Sequence, residues 1–309
     1  MCSSGNVLEL ETPGKEQNSS IPRIKLNDGN LMPMLAYGLG TANLREQGTP
    51  INYKTVEVTI KAIKAGFRHL DGAEVYGNEE ELGLAIKFSG VPREELYVVT
   101  KFFDFCRSPK ESFQSSLKRL DLDYVDLYLI HAPFFARSDI KLQEVWADFE
   151  DIKRSGRARS IGVSNFSQAH LEVILKTATI PPAINQIEFH PYLQQHALLD
   201  FQRKHGIAVA AYGTLFPLTR KSGDLVSRIW GKLAEKYSVT ESVIGLRWPM
   251  DQGVIVVTTT CKEERMEGVF SGLSTLSLLQ QEVNMVAEAG KLRTFRAYWD
   301  ENYPGDANH

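Results

Sequence analysis

Residues 38–43 read Gly-Leu-Gly-Thr-Ala-Asn, and this stretch decides between two α/β architectures. A doubly wound sheet that binds a dinucleotide carries three spaced glycines between its first strand and the following helix. Here the third glycine is absent, and the stretch does not lead straight into a helical segment. It therefore favours a closed barrel of parallel strands over an open sheet.

Outward from this stretch, short apolar runs alternate with longer segments of helical periodicity. The expected strands are Met34–Gly38, His69–Asp71, Leu96–Thr100, Leu127–His131, Ser160–Val163, Ala183–Gln186, Ala208–Ala211 and Val254–Val257. The expected helices are Val56–Ala65, Glu79–Phe88, Pro109–Leu120, Leu142–Ser155, Gln168–Lys176, Leu198–His205, Asp224–Tyr237 and Thr240–Asp251, the last bent or broken at Trp248-Pro249. Parallel strands need crossover connections, and eight units over about 250 residues predict a (β/α)₈ barrel, the TIM-barrel fold.

The two ends of the chain lie outside this alternation. Residues 1–20 lack the basic and apolar regions of a signal peptide, and we expect a flexible tail on a cytoplasmic protein. The Asp28-Gly29 pair between Ile24-Lys25-Leu26 and Leu31-Met32-Pro33 predicts a β-hairpin. We find no linker or repeat, so residues 21–309 are expected to form one domain, with a C-terminal loop over the active-site face.

Composition excludes several classes of protein. The 309 residues carry 35 basic and 38 acidic side chains, a net charge of −3 that favours neither nucleic acid nor a membrane surface as a partner. Cys2, Cys106 and Cys261 have no CxxC spacing, so neither a disulfide scaffold nor a zinc site is expected. Cys106 and Cys261 are interpreted as buried, inert thiols near the active face.

Polar residues stand at the ends of the expected strands, where a barrel enzyme carries its active site. They are Asp71, Lys101, His131, Ser164, Asn165, Gln186, Tyr212 and the segment Thr258–Lys262, with Tyr76 in the loop after the second strand. Each alone has a structural explanation, such as a helix cap or a solvated charge. Seven consecutive strand ends with polar residues indicate a site.

Two other catalytic patterns are rejected. Tyr97 and Lys101 have the YxxxK spacing of short-chain dehydrogenases, but that pair shares a face only on a helix, and this segment is strand-like. The sequence around Ser164, Gly162-Val-Ser-Asn-Phe166, lacks the second glycine of a nucleophile elbow, so a serine hydrolase is not expected.

Several segments resemble the aldo-keto reductase family in the expected order. They are Gly66-Phe-Arg-His-Leu-Asp-Gly-Ala-Glu-Val-Tyr-Gly-Asn-Glu79, Leu117-Lys-Arg-Leu-Asp-Leu-Asp-Tyr-Val-Asp-Leu-Tyr-Leu-Ile-His131, Ile161-Gly-Val-Ser-Asn-Phe166 and Asn185-Gln-Ile-Glu-Phe-His-Pro191. The resemblance extends from about Ile24 to Tyr303. Within the family, His131-Ala-Pro-Phe-Phe135 and Val257-Thr-Thr-Thr-Cys-Lys262 are most similar to the fungal branch that reduces α-keto amides, ketopantoyl lactone and conjugated polyketones.

The resemblance implies NADPH-dependent reduction of aldehydes or ketones to alcohols. Tyr76 would protonate the carbonyl oxygen, and His131 would orient that oxygen with a hydrogen bond. Lys101, paired with Asp71, would lower the pKa of the Tyr76 phenol. These four residues are the expected catalytic group.

The resemblance also assigns the cofactor site. The cofactor-binding residues are expected to be Gly40, Thr41, Ser164, Asn165, Gln186, Tyr212, Leu215, Thr259, Thr260, Lys262 and Arg265. Lys262 and Arg265 would bind the 2′-phosphate, which favours NADPH over NADH. Three segments depart from the family pattern, Thr259-Thr260, Gly268-Val269 and Gly213–Phe216, so the adenine and pyrophosphate contacts are expected to be unusual.

The expected substrate is a small carbonyl compound, with ketones or α-dicarbonyls favoured over open-chain sugars. The expected pocket consists of Ala42, Phe103, Ala132, Phe134 and Trp299, a wide apolar set. Two alternatives remain open: an NADPH-binding regulatory barrel without significant turnover, and a reductase dedicated to one secondary-metabolite step. Relatives imply a monomer or a homodimer.

Overall fold

A computed structural model describes residues 21–40, 42–46, 48–103, 106–220 and 223–303. Its strands are β1 (Arg23–Lys25), β2 (Leu31–Pro33), β3 (Leu35–Gly38), β4 (His69–Asp71), β5 (Tyr97–Phe102), β6 (Val125–Ile130), β7 (Ala158–Ser164), β8 (Ile184–Glu188), β9 (Ala208–Tyr212) and β10 (Ile255–Thr258). Strands β3 to β10 are parallel and form a closed barrel in sequence order, with β10 pairing β3. The predicted (β/α)₈ barrel is confirmed.

Helices connect the strands and cover the outside of the barrel. They are α1 (Tyr53–Lys64), α2 (Glu79–Ser89), α3 (Pro109–Leu120), α4 (Asp139–Arg154), α5 (Gln168–Leu175), α6 (His196–Lys204), α7 (Phe216–Thr219), α8 (Leu225–Tyr237), α9 (Glu241–Met250), α10 (Glu263–Thr275) and α11 (Gln280–Gly290). The sequence predicts most of these within a few residues, but it misses α7, α10 and α11. None of the helices in the described ranges is long and apolar enough to cross a bilayer.

Local signals set the ends of two helices. Ser108 accepts a hydrogen bond from the N–H of Glu111, whose carboxylate accepts one from the N–H of Ser108, so α3 begins with a capping box. Ser167 begins α5 in the same way. Pro249 lies in the last turn of α9, which ends one residue later at Met250 instead of breaking before it.

The hairpin β1–β2 closes the end of the barrel where the strands begin. Its turn contains Gly29 at φ +88°, a left-handed conformation that glycine adopts without a steric penalty. The Asn30 amide donates to the Ser160 hydroxyl (3.0 Å), and the Asn27 amide donates to the Pro182 carbonyl (2.9 Å). The predicted hairpin is confirmed, and it leaves the opposite end of the barrel open for a site.

The chain after α11, residues 291–303, is called the C-terminal loop below. Tyr298 and Trp299 of this loop line a cavity at the ends of the barrel strands. The loop therefore lies over the active-site face, as expected. The expected tail, residues 1–20, lies outside the described residues.

Candidate active site

A cavity of about 810 Å³ lies at the carboxyl ends of the strands. Its wall includes the predicted strand-end residues Asp71, His131, Ser164, Asn165, Gln186 and Tyr212, together with Tyr76 from the loop after β4. The register explains this convergence, because Gly38 pairs Asp71 and Ser164 pairs Gln186 at the same edge of the barrel. The structure thus brings the predicted group together in one place.

A buried ion pair lies at the base of this cavity. The Lys101 ammonium donates to the Asp71 carboxylate at 2.7 Å and to the Gly72 carbonyl at 2.8 Å. Lys101 is fully buried, and its Nζ is 5.3 Å from the centroid of the Tyr76 ring. The pair satisfies both charges, which an isolated buried charge could not tolerate.

Two glycines allow close packing of the chain around Tyr76. Tyr76 ends a short 3₁₀ turn, Glu74–Tyr76, and Gly77 follows it at φ +68°. A Cβ on Gly77 would lie 2.1 Å from the carbonyl oxygen of Arg45. A Cβ on Gly40 would lie 3.3 Å from the Tyr76 hydroxyl oxygen. The absence of a side chain at Gly40, just after β3, therefore leaves room for the phenol.

In the protein without a bound cofactor, the pKa of Tyr76 shifts in the direction opposite to the one expected from Lys101. Burial raises the pKa of Tyr76 well above its usual range, and the charge of Asp71 raises it further. Lys101 does not offset this rise, because its ammonium pairs with Asp71 and burial lowers its own pKa. Tyr76 is therefore a protonated phenol at neutral pH.

His131 is a neutral ring in the cavity wall. Burial holds its pKa well below its usual range, and the nearby Lys101 charge adds to this effect. The ring lies 5.6 Å from that of Tyr76 and 5.5 Å from that of Phe103, measured between centroids. Its Nδ1 makes no hydrogen bond within the described part of the chain. A neutral imidazole can donate one hydrogen bond, so His131 can do so beside the Tyr76 ring.

Asn165 connects two strand ends to the catalytic group. Its amide donates to the His131 carbonyl at 2.8 Å, and its side-chain oxygen accepts from the Tyr212 hydroxyl at 2.6 Å. Asn165 has φ +60°, a left-handed conformation that asparagine tolerates better than most residues. These contacts fix the position of the Tyr212 ring in the wall.

Gln186 and Ser164 continue this polar surface. The Gln186 amide donates to the free oxygen of Asp71 at 2.8 Å, while the Ser164 hydroxyl donates to the Gln186 carbonyl at 2.8 Å. Side-chain amides and a hydroxyl therefore face the cavity next to the Asp71–Lys101 pair. Such groups suit a ligand that carries a carboxamide.

The remaining predicted cofactor residues fall into two groups. Gly40, Leu215 and Thr259 line the cavity, whereas Thr260, Lys262 and Arg265 lie beyond its wall at the start of α10. Lys262 and Arg265 are exposed and form no ion pair with another described residue. Thr41 lies outside the described residues. Two unpaired cations at a helix N-terminus suit an anion.

The predicted substrate residues are only partly at the cavity. Phe103 and Trp299 line it, with ring centroids 6.3 Å apart. Phe134 contacts Trp299 at 5.1 Å but does not itself line the cavity. Ala132 is buried and Ala42 is exposed, and neither is part of the wall.

Several wall residues are not among the individually predicted site residues. They are Leu44, Val75, Thr214, Phe216 and Arg220. Two of them, Thr214 and Phe216, lie in the segment Gly213–Phe216, where unusual pyrophosphate contacts are expected. Val75 directly precedes Tyr76, and the other four follow β3 or β9, so the rule that loops after barrel strands build the site would have pointed to them. Arg220 is the one permanently charged cation in the described part of the wall.

Two other expectations concern cysteines and metals. Cys106 and Cys261 are both exposed, so their interpretation as buried thiols is wrong. Both follow strand ends in solvent-facing loops, where burial is not imposed by the barrel. Within the described ranges, the structure contains no cluster of three potential metal ligands.

Comparison with known proteins places the chain in a family. Residues 36–291 match the model of the aldo/keto reductase family, and the protein belongs to this family. It is 39% identical over 279 residues to the NAD/NADP-dependent indole-3-acetaldehyde reductase of Schizosaccharomyces pombe, covering 88% of this chain and 98% of that protein. It is 36% identical to the NADPH-dependent alpha-keto amide reductase of Saccharomyces cerevisiae, covering 90% and 94%.

Solved structures agree. The crystal structure of an aldo/keto reductase from Brucella melitensis matches with a TM-score of 0.77 at 36% identity, covering 87% of this chain and all of that one. The Bombyx mori aldo-keto reductase in complex with NADP matches with a TM-score of 0.78 at 34% identity, covering 87% and 93%. The family, the fold and the class of enzyme, a carbonyl reductase that uses a nicotinamide dinucleotide, are therefore confirmed.

Proposed function

We propose that this protein reduces apolar ketones and α-dicarbonyl compounds with NADPH, and that Tyr76 donates the proton. One observation carries the proposal. The protonated phenol of Tyr76 and the neutral ring of His131 lie together in the cavity wall, above the buried Asp71–Lys101 pair. Two neutral hydrogen-bond donors at one point suit a carbonyl oxygen that gains negative charge.

The roles of the four residues follow from their surroundings. NADPH, when bound, supplies a hydride for the carbonyl carbon. Tyr76 gives its hydroxyl proton to the carbonyl oxygen, and His131 donates a hydrogen bond to the same oxygen. Lys101 and Asp71 hold the base of the site rigid, since their ion pair is fully desolvated.

The residues present fit NADPH. Gly40 leaves open the space beside Tyr76, and Asn165 and Gln186 offer amides for the carboxamide of the nicotinamide. Lys262 and Arg265 are unpaired among the described residues and would bind the 2′-phosphate. Arg220, as the permanent cation of the described wall, would face the negatively charged pyrophosphate.

The walls around Tyr76 and His131 favour an apolar substrate. They consist of Leu44, Val75, Phe103, Tyr298 and Trp299. Among relatives, one is named for alpha-keto amides and another, from Bacillus subtilis, is named a glyoxal reductase at 38% identity over 79% of this chain and 84% of that protein. Both names describe compounds with a second carbonyl next to the reduced one, which supports the α-dicarbonyl class.

We extend the proposal to the setting of the enzyme. Its partner is a small carbonyl compound. The enzyme acts in the cytoplasm as a monomer or a homodimer, and its residues 21–309 fold as one domain. Light scattering of the purified protein distinguishes the two oligomeric states. Limited proteolysis tests the domain, because it should trim the first 20 residues and leave activity unchanged.

A panel of carbonyl compounds tests the substrate class. We expect kcat/KM with NADPH to be highest for cyclic or aromatic ketones and α-dicarbonyls, and at least about tenfold lower for xylose, because hydroxyl groups buried against aromatic walls lose their bonds to water. The measurement is the rate of NADPH oxidation for each compound. A higher kcat/KM for xylose than for the dicarbonyls would contradict the proposal.

A further inference from the structure

A buried carboxylate, Glu188, connects strand β8 to the C-terminal loop. Glu188 is the last residue of β8 and is fully buried. One of its oxygens accepts the N–H of Ala297 at 2.8 Å, and the other accepts the N–H of Tyr298 at 3.0 Å. The carboxylate is thus shared between a barrel strand and a loop more than 100 residues away in sequence.

His190 supplies a third hydrogen bond. Its Nε2 lies 2.9 Å from the Glu188 oxygen that accepts from Ala297. Burial lowers the pKa of His190, while the Glu188 carboxylate acts in the opposite direction. A carboxylate only accepts hydrogen bonds, so the Nε2 atom that faces Glu188 carries a proton. These three donors help to compensate the burial of the negative charge.

This arrangement makes the burial of Glu188 depend on the loop. If residues 297–298 moved away, the carboxylate would lose two of these three donors inside the protein, which is costly. The loop residues that follow carry the cavity wall: Tyr298 lies 5.9 Å from Phe216, and Trp299 lies 6.3 Å from Phe103, between ring centroids. Trp299 also has φ +60°, a strained conformation that needs support from its surroundings.

We propose that Glu188 is a positioning residue that holds Tyr298 and Trp299 in the substrate wall, and so sets how well bulky ketones bind relative to small dicarbonyls. The proposal rests on the substrate class proposed above. Glu188 acts through the peptide N–H groups of the loop and does not touch the reacting atoms. Gln186, two residues earlier on β8, keeps its own bond to Asp71, so the buried Asp71–Lys101 pair does not depend on Glu188.

The test compares two buried glutamates that each accept two backbone N–H groups. In Glu188→Gln one acceptor oxygen becomes an N–H₂ group that faces a backbone donor, so the loop loses a contact without a change in side-chain size. Glu150 on α4 is the matched control, because it is buried and accepts the N–H groups of Thr179 (2.6 Å) and Ile180 (2.8 Å), none of which lines the cavity. Glu150→Gln should therefore cost stability only.

The expected result is a change of selectivity. Glu188→Gln should raise KM for a bulky aromatic ketone about tenfold more than KM for methylglyoxal, while the Kd for NADPH stays within about twofold. Glu150→Gln should leave the ratio of the two KM values unchanged. A Glu188→Gln enzyme with the wild-type ratio, or one that changes the ratio no more than Glu150→Gln, would overturn the proposal.

Hydrogen exchange gives a second test that needs no turnover. In the wild-type protein the amide protons of Ala297 and Tyr298 should be protected, and in Glu188→Gln they should exchange faster while the amides of β8 stay protected. Amides at 297 and 298 that exchange in the wild type as fast as those of an unstructured peptide would refute the role of Glu188. A wild type that reduces no carbonyl compound would instead refute the proposed function, so the two failures are distinguishable.

Discussion

The phenol of Tyr76 shows that burial can outweigh a nearby positive charge. Lys101 is close enough to favour the phenolate, yet its ammonium is already paired with Asp71. The pKa of Tyr76 therefore rises, and the residue holds its proton at neutral pH. A phenol that keeps its proton suits the reductive direction, in which Tyr76 acts as the acid. The release of this proton depends on the negative charge that develops on the substrate oxygen.

At the residue scale, Arg265 should decide between the two nicotinamide cofactors. Its guanidinium is exposed in the first turn of α10 and forms no ion pair with a described residue, so it is available for the 2′-phosphate. We expect Arg265→Ala to raise KM for NADPH about tenfold to a hundredfold and to leave KM for NADH nearly unchanged. Steady-state kinetics with both cofactors measures this.

The control for this prediction is another exposed arginine. Arg203 pairs with Asp200 within α6, near the end of that helix and away from the cavity. Arg203→Ala should leave KM for both cofactors unchanged. An equal loss for NADPH and NADH in Arg265→Ala would contradict a contact with the 2′-phosphate.

Much of the site can be predicted from the sequence at this scale, for a physical reason. Asp71, His131 and Gln186 end or follow apolar runs, and parallel strands bring such ends to one face. Ala132 could not be placed in this way, because which of two consecutive residues faces the cavity depends on the local path of the chain after the strand. The direction of the Tyr76 pKa shift also depends on distances that no spacing in the sequence contains.

At the scale of elements, helices α10 and α11 are the two longer members of the three helices that the sequence does not reveal. Helix α10 contains Gly268 and Gly272 together with three Ser and Thr residues, all of which weaken the helical signal. Packing compensates: Gly272 allows close contact with Val243 of α9, where a Cβ would lie 2.7 Å from a methyl group. The strand positions were predictable because their apolar runs are buried on both faces.

A pair of glycine substitutions tests the role of packing at this scale. A Cβ on Gly290, the last residue of α11, would lie 2.0 Å from the carbonyl oxygen of Pro191, in the loop after β8. We expect Gly290→Ala to lower the free energy of unfolding by about 1–3 kcal/mol, because backbone atoms must move apart. Urea denaturation measures the change.

Gly268 is the matched control. Nothing lies within 4 Å of a Cβ at this helical position, so Gly268→Ala should leave stability unchanged or raise it by up to about 1 kcal/mol. A Gly290→Ala protein as stable as the wild type would show that α11 does not depend on its contact with the loop after β8.

At the scale of the whole molecule, the hairpin that closes the barrel and the cavity that holds the catalytic group lie at opposite ends. The hairpin β1–β2 covers the end where the strands begin, and the cavity occupies the end where they finish. Buried aromatic side chains such as Trp146, Trp230 and Trp248 fill the layers between strands and helices. The strand ends that carry most of the catalytic group are therefore held in place by the neighbouring strands and by the packing of the surrounding helices.

The most direct test of the account is NADPH oxidation by the wild-type protein and by Tyr76→Phe, with an aromatic ketone or an α-dicarbonyl as substrate. The account predicts turnover by the wild type and a loss of kcat by about 10²–10⁴-fold in the variant, because the substitution removes the hydroxyl group that donates the proton and leaves the ring. NADPH should still bind to the variant with a similar Kd. A Tyr76→Phe enzyme that keeps the wild-type kcat would contradict Tyr76 as the proton donor.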